Sequence, residues 1–455
     1  MSLPQTFSRR SGIAALAATA LAGRPGLGHA RGSIPLSGRV LAADGLPLAG
    51  ARISDGQAVA VTSGDGSFQF VGQTPAVDVP IRVSASGYRD RLIDVGNRNS
   101  DLTVELEPRD IRALYINPSV ITTLDQYDAI IALINSTNAN AVVLDIKEEY
   151  VWFDTSVDFF REAGVVVPRY DLASILARFR ANNIYTIARQ VVFKDSIVAS
   201  VHPDLAIRHS VTDDVWRDQN GVAWVNPLEH ALWAPNIALA VEAAAAGFDE
   251  IQYDYIRFPT DGDLTTMDFG VDLTMEVRQS AIEDFLARSR QQLLPTGAKQ
   301  AADLFGFTMV IDDDLGIGQN FARLAEHLDY MCPMVYPSHY AMHQFGLPGH
   351  PNEYPYETVS ISLDGGVDRV GGNSLKIRPW LQDFTYPGMP PYGPTEVRAQ
   401  IQACIDHDTS GWMLWDMQQV FNQANLDAAD PGAVPNPENV LEEQSRQQRG
   451  HRRNR

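Results

Sequence analysis

The sequence predicts an α/β chain in which a (β/α)8 barrel follows a small β-sandwich. Three observations carry this. Beyond Asp110, eight short apolar runs alternate with helical windows, the arithmetic of eight strand–helix units. The segment before them holds short alternating strands and turn residues with no helical window. The first barrel run leads into Ile116-Asn117-Pro118-Ser119, which is unlike the Gly-rich phosphate loop that a doubly wound open sheet places after its first strand.

Residues 1–30 read as a signal peptide. Arg9 and Arg10 precede an Ala-rich, mildly apolar stretch from Gly12 to Ala22, and Gly28-His29-Ala30 supplies small residues for cleavage. Ser8-Arg9-Arg10-Ser11-Gly12-Ile13 resembles a twin-arginine signal, with an ordinary secretory signal as the alternative. Periplasmic or secreted localisation follows. The segment contains three arginines and no acids, so its removal would move the formal charge from −20 to −23.

Residues 33–107 form the expected sandwich. Leu36–Leu41, Ala51–Ile53, Ala58–Thr62, Ser67–Val71, Ile81–Ala85 and Leu102–Leu106 are strand-like, and Asp44-Gly45 and Gly64-Asp65-Gly66 are turns between them.

Residues 111–425 form the barrel. Its strands are expected at Ala113–Ile116, Ala141–Asp145, Tyr185–Arg189, Glu250–Asp254, Gly306–Val310, Tyr330–Val335, Ile377–Leu381 and Gly411–Trp415. Helical windows lie at Leu124–Asn135, Leu172–Asn182, Trp233–Ala246, Met275–Leu294, Phe321–Leu328 and Glu396–His407. The polar, Pro-bearing end from 426 to 455, with five arginines from Arg446 onward, reads as a disordered tail.

Composition narrows the function. The 455 residues are 45% hydrophobic and 20% charged, the fractions of a globular protein. A charge of −20 repels phosphate backbones and disfavours nucleic-acid partners. After the signal no apolar run is long enough to span a bilayer. Cys332 and Cys404 are too few for a disulfide-dense scaffold or a four-cysteine zinc site; they are either one disulfide or two buried thiols.

Barrel function resides at the C-terminal strand ends, and polar residues gather there. Asp145 and Lys147 end the second strand, Arg189 the third, and Asp254 and Arg257 the fourth. Asp312 and Asp313 follow the fifth, Tyr336 and His339 the sixth, Gln382 and Asp383 the seventh, and Asp416 the eighth. A mouth ringed by carboxylates and aromatics suits glycosidic hydrolysis, in which one carboxyl group protonates the leaving oxygen and another attacks or activates water. Trp152, Trp216 and Trp224, in loops after strands two and three, are placed to stack on sugar rings, while Trp233, Trp380, Trp412 and Trp415 read as core. No Gly-x-Ser-x-Gly elbow or paired-ligand zinc spacing occurs. Consecutive carboxylates at Asp312-Asp313-Asp314 point alternately and cannot all chelate one ion. No metal or other cofactor is expected.

Two family resemblances follow from these residues. Gly38-Arg39-Val40, Pro47–Ala51, Thr62–Phe68 and Ala85-Ser86-Gly87-Tyr88 resemble the carboxypeptidase regulatory-like, or transthyretin-like, domain. Val143–Lys147, Phe248–Pro259, Asp313–Gln319, Pro333–Tyr340, Arg378–Phe384 and Gly411–Asp416 resemble the glycoside hydrolase-like family of domain of unknown function 4015, allied to α-glycosidase-type barrels. That resemblance implies a nucleophile at Asp254. Its proton-donating partner would be Asp312 or Asp313 after strand five, or Asp383 after strand seven. Their place at the strand ends makes Asp145, Lys147, Arg189, Arg257, Tyr336, His339, Gln382 and Asp416 the expected substrate contacts, with a structural ion pair as the alternative for Lys147 beside Asp145. Asp383 shares strand parity with Leu381, and Gln382 with Trp380, so only one of these pairs can face the axis. The expected activity is hydrolysis of an envelope or extracellular polysaccharide or oligosaccharide; the alternative is a non-catalytic carbohydrate-binding or scaffold protein.

Overall fold

A computed structural model describes residues 35–56, 58–71, 80–93 and 101–427. The expected signal peptide and the tail from residue 428 lie outside these residues. Leu426 is buried and Asp427 pairs with Arg398, so the packed chain runs two residues past the expected barrel boundary.

The barrel strands are β1 (Ile111–Ile116), β2 (Ala141–Lys147), β3 (Tyr185–Val191), β4 (Glu250–Asp254), β5 (Lys299–Phe305), β6 (Tyr330–Val335), β7 (Trp380–Gln382) and β8 (Gly411–Trp415). Each pairs in parallel with its sequence neighbour, and β8 returns to β1 to close the barrel. Strand parity sorts the side chains into two cores. Ala113, Val143, Ile187, Ala301, Cys332 and Met413 fill the axis, while Leu114, Val142, Leu144, Ala188, Ile251 and Leu304 face the surrounding helices. Cys332 and Cys404 are buried free thiols, one in each layer.

Two expectations are corrected. The fifth strand is Lys299–Phe305, and the expected strand segment Gly306–Met309 is instead a 3-10 turn. Lys299, Gln300 and Asp303 make the true strand look polar, but each is buried with partners: Asp90 for Lys299, backbone carbonyls for Gln300, and the Trp380 indole for Asp303. A helix over Pro355–Arg369, absent from the sequence reading, packs outside the barrel. Its Gly365-Gly366 pair reads as a breaker, yet a Cβ there would lie 2.6 Å from the Met309 carbonyl oxygen and from the Met309 sulfur respectively. The glycines let this helix approach the turn after β5 closely, which outweighs their poor helix propensity.

Before the barrel, a three-stranded sheet (Ser67–Val71, Pro35–Ala42, Leu102–Leu106) and a four-stranded sheet (Val59–Val61, Arg52–Ser54, Ile81–Ser84, Arg91–Ile93) share a core that includes Val40, Ile53, Phe68, Phe70, Val83 and Val104. This unit meets the N-terminal ends of the barrel strands. Arg52 pairs with Asp329 at 3.1 Å, Asp90 with Lys299 at 2.8 Å, and the Ser86 hydroxyl donates to the Asp329 carbonyl at 2.8 Å. Asp329 is buried yet held well below the usual carboxylate range, because Arg290, Arg52 and Lys299 surround it and the Gln300 N–H donates to it.

These contacts link the sandwich to the barrel across the join at Pro108-Arg109-Asp110. A barrel fragment of residues 110–427 loses Arg52 from Asp329 and leaves Lys299 buried without Asp90. It is expected to melt several degrees below the full chain at neutral pH, since stripping one partner from a buried pair costs about 3–5 kcal/mol. A fragment melting at the full-length temperature would show that the contact stabilises neither part.

Candidate functional site

The opposite end of the barrel carries a different cluster. Arg189, on β3, lies opposite Asp145 on β2 and beside β4. Its Nη1 donates to Asp145 Oδ1 at 2.6 Å. Its Nη2 and Nε both reach Asp254 Oδ2, at 2.5 and 3.1 Å, and Nε lies 3.6 Å from Asp303 Oδ2. Three neighbouring acids therefore surround one guanidinium. The Asp254 and Asp303 oxygens share the same Nε, so they can be no farther apart than those two distances end to end.

Each acid has its own surroundings. Tyr115 donates its hydroxyl to Asp145 Oδ2 at 2.5 Å and stacks on Trp415 with ring centroids 4.0 Å apart. Burial pushes the Asp145 carboxyl up to about 7, against the pull of Arg189. Trp380 Nε1 donates to Asp303 Oδ1 at 2.6 Å. Burial, reinforced by the negative charge of Asp254, raises Asp303 well above the usual carboxylate range, against the opposing effect of Arg189. Asp254 ends β4, and Tyr255 after it adopts a left-handed φ of 50°. This is an unusual conformation for a residue with a Cβ, and the Tyr255 N–H donates to Asp254 Oδ1 at 2.6 Å.

A cavity of about 660 Å³ opens above this cluster, with Arg189, Asp254 and Asp303 on its floor. Aromatic side chains dominate its walls: Tyr255, Phe305, Phe307, Tyr336, Trp380 and Trp415, with His339 at the rim. Tyr336 is half-buried, and desolvation raises its hydroxyl well beyond its usual range. His339 Nδ1 lies 3.0 Å from the Ser338 hydroxyl, and burial lowers its pKa. The combination offers flat apolar faces, two carboxyls in unlike settings and a fixed cation.

Of the residues singled out from sequence, Asp254, Arg189, Arg257, Tyr336 and His339 line this cavity, and Asp145 supports Arg189 from below. The others lie elsewhere, for definable reasons. Asp312 is exposed and pairs with Arg369, and Asp313 is exposed and caps the Leu315 N–H; both follow from the displaced fifth strand. Asp314, next to them, pairs with Arg278 and accepts from two glycine N–H groups. Trp380 faces the axis, so Asp383 points away, accepting from Asn425 at 2.5 Å; burial and then Asp416 push it up to about 8. Gln382 accepts from Ser338 N–H and donates to Asn352 and to the Phe384 carbonyl, a brace beneath the loops. Asp416 caps the turn after β8 through the Gln418 and Val420 N–H groups. Lys147 is fully buried on Asp195 and on the carbonyls of Glu148 and Val191.

Trp152, Trp216 and Trp224 are buried and pack their loops down instead of lining the cavity; Trp233 and Trp412 are core as expected, and Trp380 and Trp415, also expected as core, face the cavity. Asp303 was missed altogether. Its signal is its place near the end of Ala301-Ala302-Asp303-Leu304-Phe305, apolar residues flanking one acid, as in β2 and β4.

No curated protein matches the chain. Among solved structures, the PgaB (BpsB) glycoside hydrolase domain from Bordetella bronchiseptica is 13% identical, covers 69% of this chain and 95% of its own, and has a TM-score of 0.50, a likeness of fold. A hypothetical protein from Ruminiclostridium thermocellum is 35% identical over 42% of this chain and 96% of its own, with a TM-score of 0.38. A chitinase from Chromobacterium violaceum is 12% identical, covering 70% of this chain and 98% of its own, with a TM-score of 0.41. The model of the family domain of unknown function 4015, described as "Putative glycosyl hydrolase domain", matches residues 113–421, from β1 to beyond β8, and the chain belongs to that family.

Proposed function

We propose that the protein hydrolyses glycosidic bonds of an envelope or extracellular polysaccharide, with Asp254 and Asp303 as its paired carboxyl groups. The observation that carries this reading is their convergence on Arg189 at the floor of an aromatic-walled cavity. Asp303, whose carboxyl is raised by burial and by the adjacent acid, is the group that supplies a proton to the leaving oxygen. Asp254, held by Arg189 and the Tyr255 N–H, is the carboxylate that attacks or orients water. Trp380 fixes the acid, and Arg189 keeps the two carboxyls close despite their mutual repulsion. The test is turnover by the full chain on a panel of envelope polysaccharides.

One observation favours a second reading, a sugar-binding protein: Arg189 already pairs with both carboxyls. Binding without turnover across the panel would establish it.

Export is part of the proposal. No helix among the described residues is long and apolar enough to cross a membrane. If Arg9 and Arg10 direct transport, Arg9→Lys with Arg10→Lys leaves precursor in the cytoplasm on a fractionation blot. Normal maturation of the double variant would leave an ordinary secretory signal.

A further inference from the structure

We infer that the cavity takes a sugar bearing a carboxylate, a uronic acid unit of an acidic polysaccharide, and that Arg257 is the residue that binds it. The inference rests on the cavity being a sugar site, as proposed above, and does not require turnover there.

Five lysine and arginine side chains are buried among the described residues. Lys147 pairs with Asp195, Arg189 with its three acids, Lys299 with Asp90 and Arg378 with Glu250. Arg257, only 7% exposed, has no carboxylate within ion-pair distance among the described residues, and it lines the cavity. Asp254, the acid on the same bend, is taken by Arg189 and the Tyr255 N–H. A buried cation is ordinarily paired because desolvation is costly. Arg257 is the exception, and it is placed where a ligand would enter.

The geometry narrows the ligand. The guanidinium carbon lies 4.9 Å from the Trp224 ring centroid, 5.1 Å from Tyr255 and 4.7 Å from Phe305. These rings hold the cation without neutralising it. Nη1 donates to the Phe258 carbonyl at 2.9 Å and to the Thr260 hydroxyl at 3.4 Å. Nε and Nη2 have no acceptor among the described residues. Their N–H bonds form the parallel edge of the guanidinium, which matches the two oxygens of a carboxylate in one plane. The overall charge of −20 would repel an acidic polymer at long range, but that field is screened beyond about 8 Å in physiological salt, whereas a buried contact is not. Specificity would therefore reside in this one cation.

The experiment compares affinities of the full chain for galacturonate, glucuronate and mannuronate tetrasaccharides, each beside its carboxyl-reduced neutral form and a sulfated one. At least one acidic tetrasaccharide is expected to bind about tenfold or more tightly than its reduced form, the scale of a charge-assisted bidentate contact. Arg257→Gln should abolish that preference, and Arg257→Lys should restore part of it, with melting temperature and near-UV circular dichroism reporting the fold of each. The wild-type ratio stands even if a variant fails to fold. Equal affinity for acidic and reduced sugars, no binding of any of them, or a stronger response to sulfate would overturn the inference. Turnover of neutral glycans without acid preference would overturn it while leaving the hydrolase reading intact. An Arg257-dependent preference without turnover on any glycan would do the reverse.

Discussion

Asp254→Asn is expected to keep the fold and sugar binding while lowering turnover by at least about a thousandfold, a large share of the roughly 8 kcal/mol or more by which enzymes typically lower a barrier in all. The amide is nearly isosteric and keeps an oxygen for Arg189 at the cost of the Tyr255 N–H contact, which the other carboxylate oxygen accepts, but it can neither attack a sugar carbon nor balance positive charge there. Removing one of two adjacent acids also relieves repulsion with Asp303, so the melting temperature should hold or rise. Asp303→Asn separates the roles. Its oxygen still accepts from Trp380, yet it has no acidic proton to give. Loss should be large on natural glycans and much smaller on an aryl glycoside whose leaving group departs unprotonated. The pH profile supplies the sign. Asp303 acts as an acid with a raised pKa, so wild-type activity is present below that pKa and falls as pH rises through it. The alkaline limb should change in Asp303→Asn. Full activity in Asp254→Asn would sink the assignment.

The fold was legible because strand parity and helical windows are local signals. β4, β6 and β8 begin and end where their apolar runs do. β5 was displaced because its polar residues find partners from elsewhere in the chain: Asp90 arrives from the preceding module and Trp380 from β7. Sequence periodicity contains neither contact. The consequence for the site was direct, since moving the strand replaced Asp303 with Asp312 and Asp313. Asp254 and Arg189 could be read because each closes an apolar strand. Trp380 and Trp415 looked like core for the same reason, since the top of a filled barrel is both core and site. That Arg257 has no carboxylate partner among the described residues depends on their three-dimensional arrangement and leaves no mark in the sequence.

Arg189→Met tests what holds the cluster together. The guanidinium, 3% exposed, is the cation that Asp145, Asp254 and Asp303 all contact. Methionine fills much of its volume but leaves three acids near the axis of a packed barrel with no counter-charge. Removing one member of a buried pair typically costs about 3–5 kcal/mol, which for a chain this long corresponds to a melting temperature lower by roughly 5 °C at neutral pH. The penalty depends on pH in a definite direction. Burial already raises Asp145 and Asp303 above their unfolded values, and losing Arg189 raises them further. Below the unfolded carboxylate pKa of about 3.9 both folded and unfolded chains are protonated and this penalty is absent. As pH climbs toward the raised folded values, the unfolded chain releases protons first and the folded state loses stability relative to it. The gap between wild type and Arg189→Met should therefore be small near pH 4 and widen toward pH 7. Adding Asp145→Asn to Arg189→Met should recover part of the loss, because Asn at that position still accepts the Tyr115 hydroxyl without carrying charge. Thermal melts of the single and double variants across that range provide the measurement. A pH-independent difference, or a double variant no more stable than the single, would mean that Arg189 contributes packing alone and that the three acids already share protons without it.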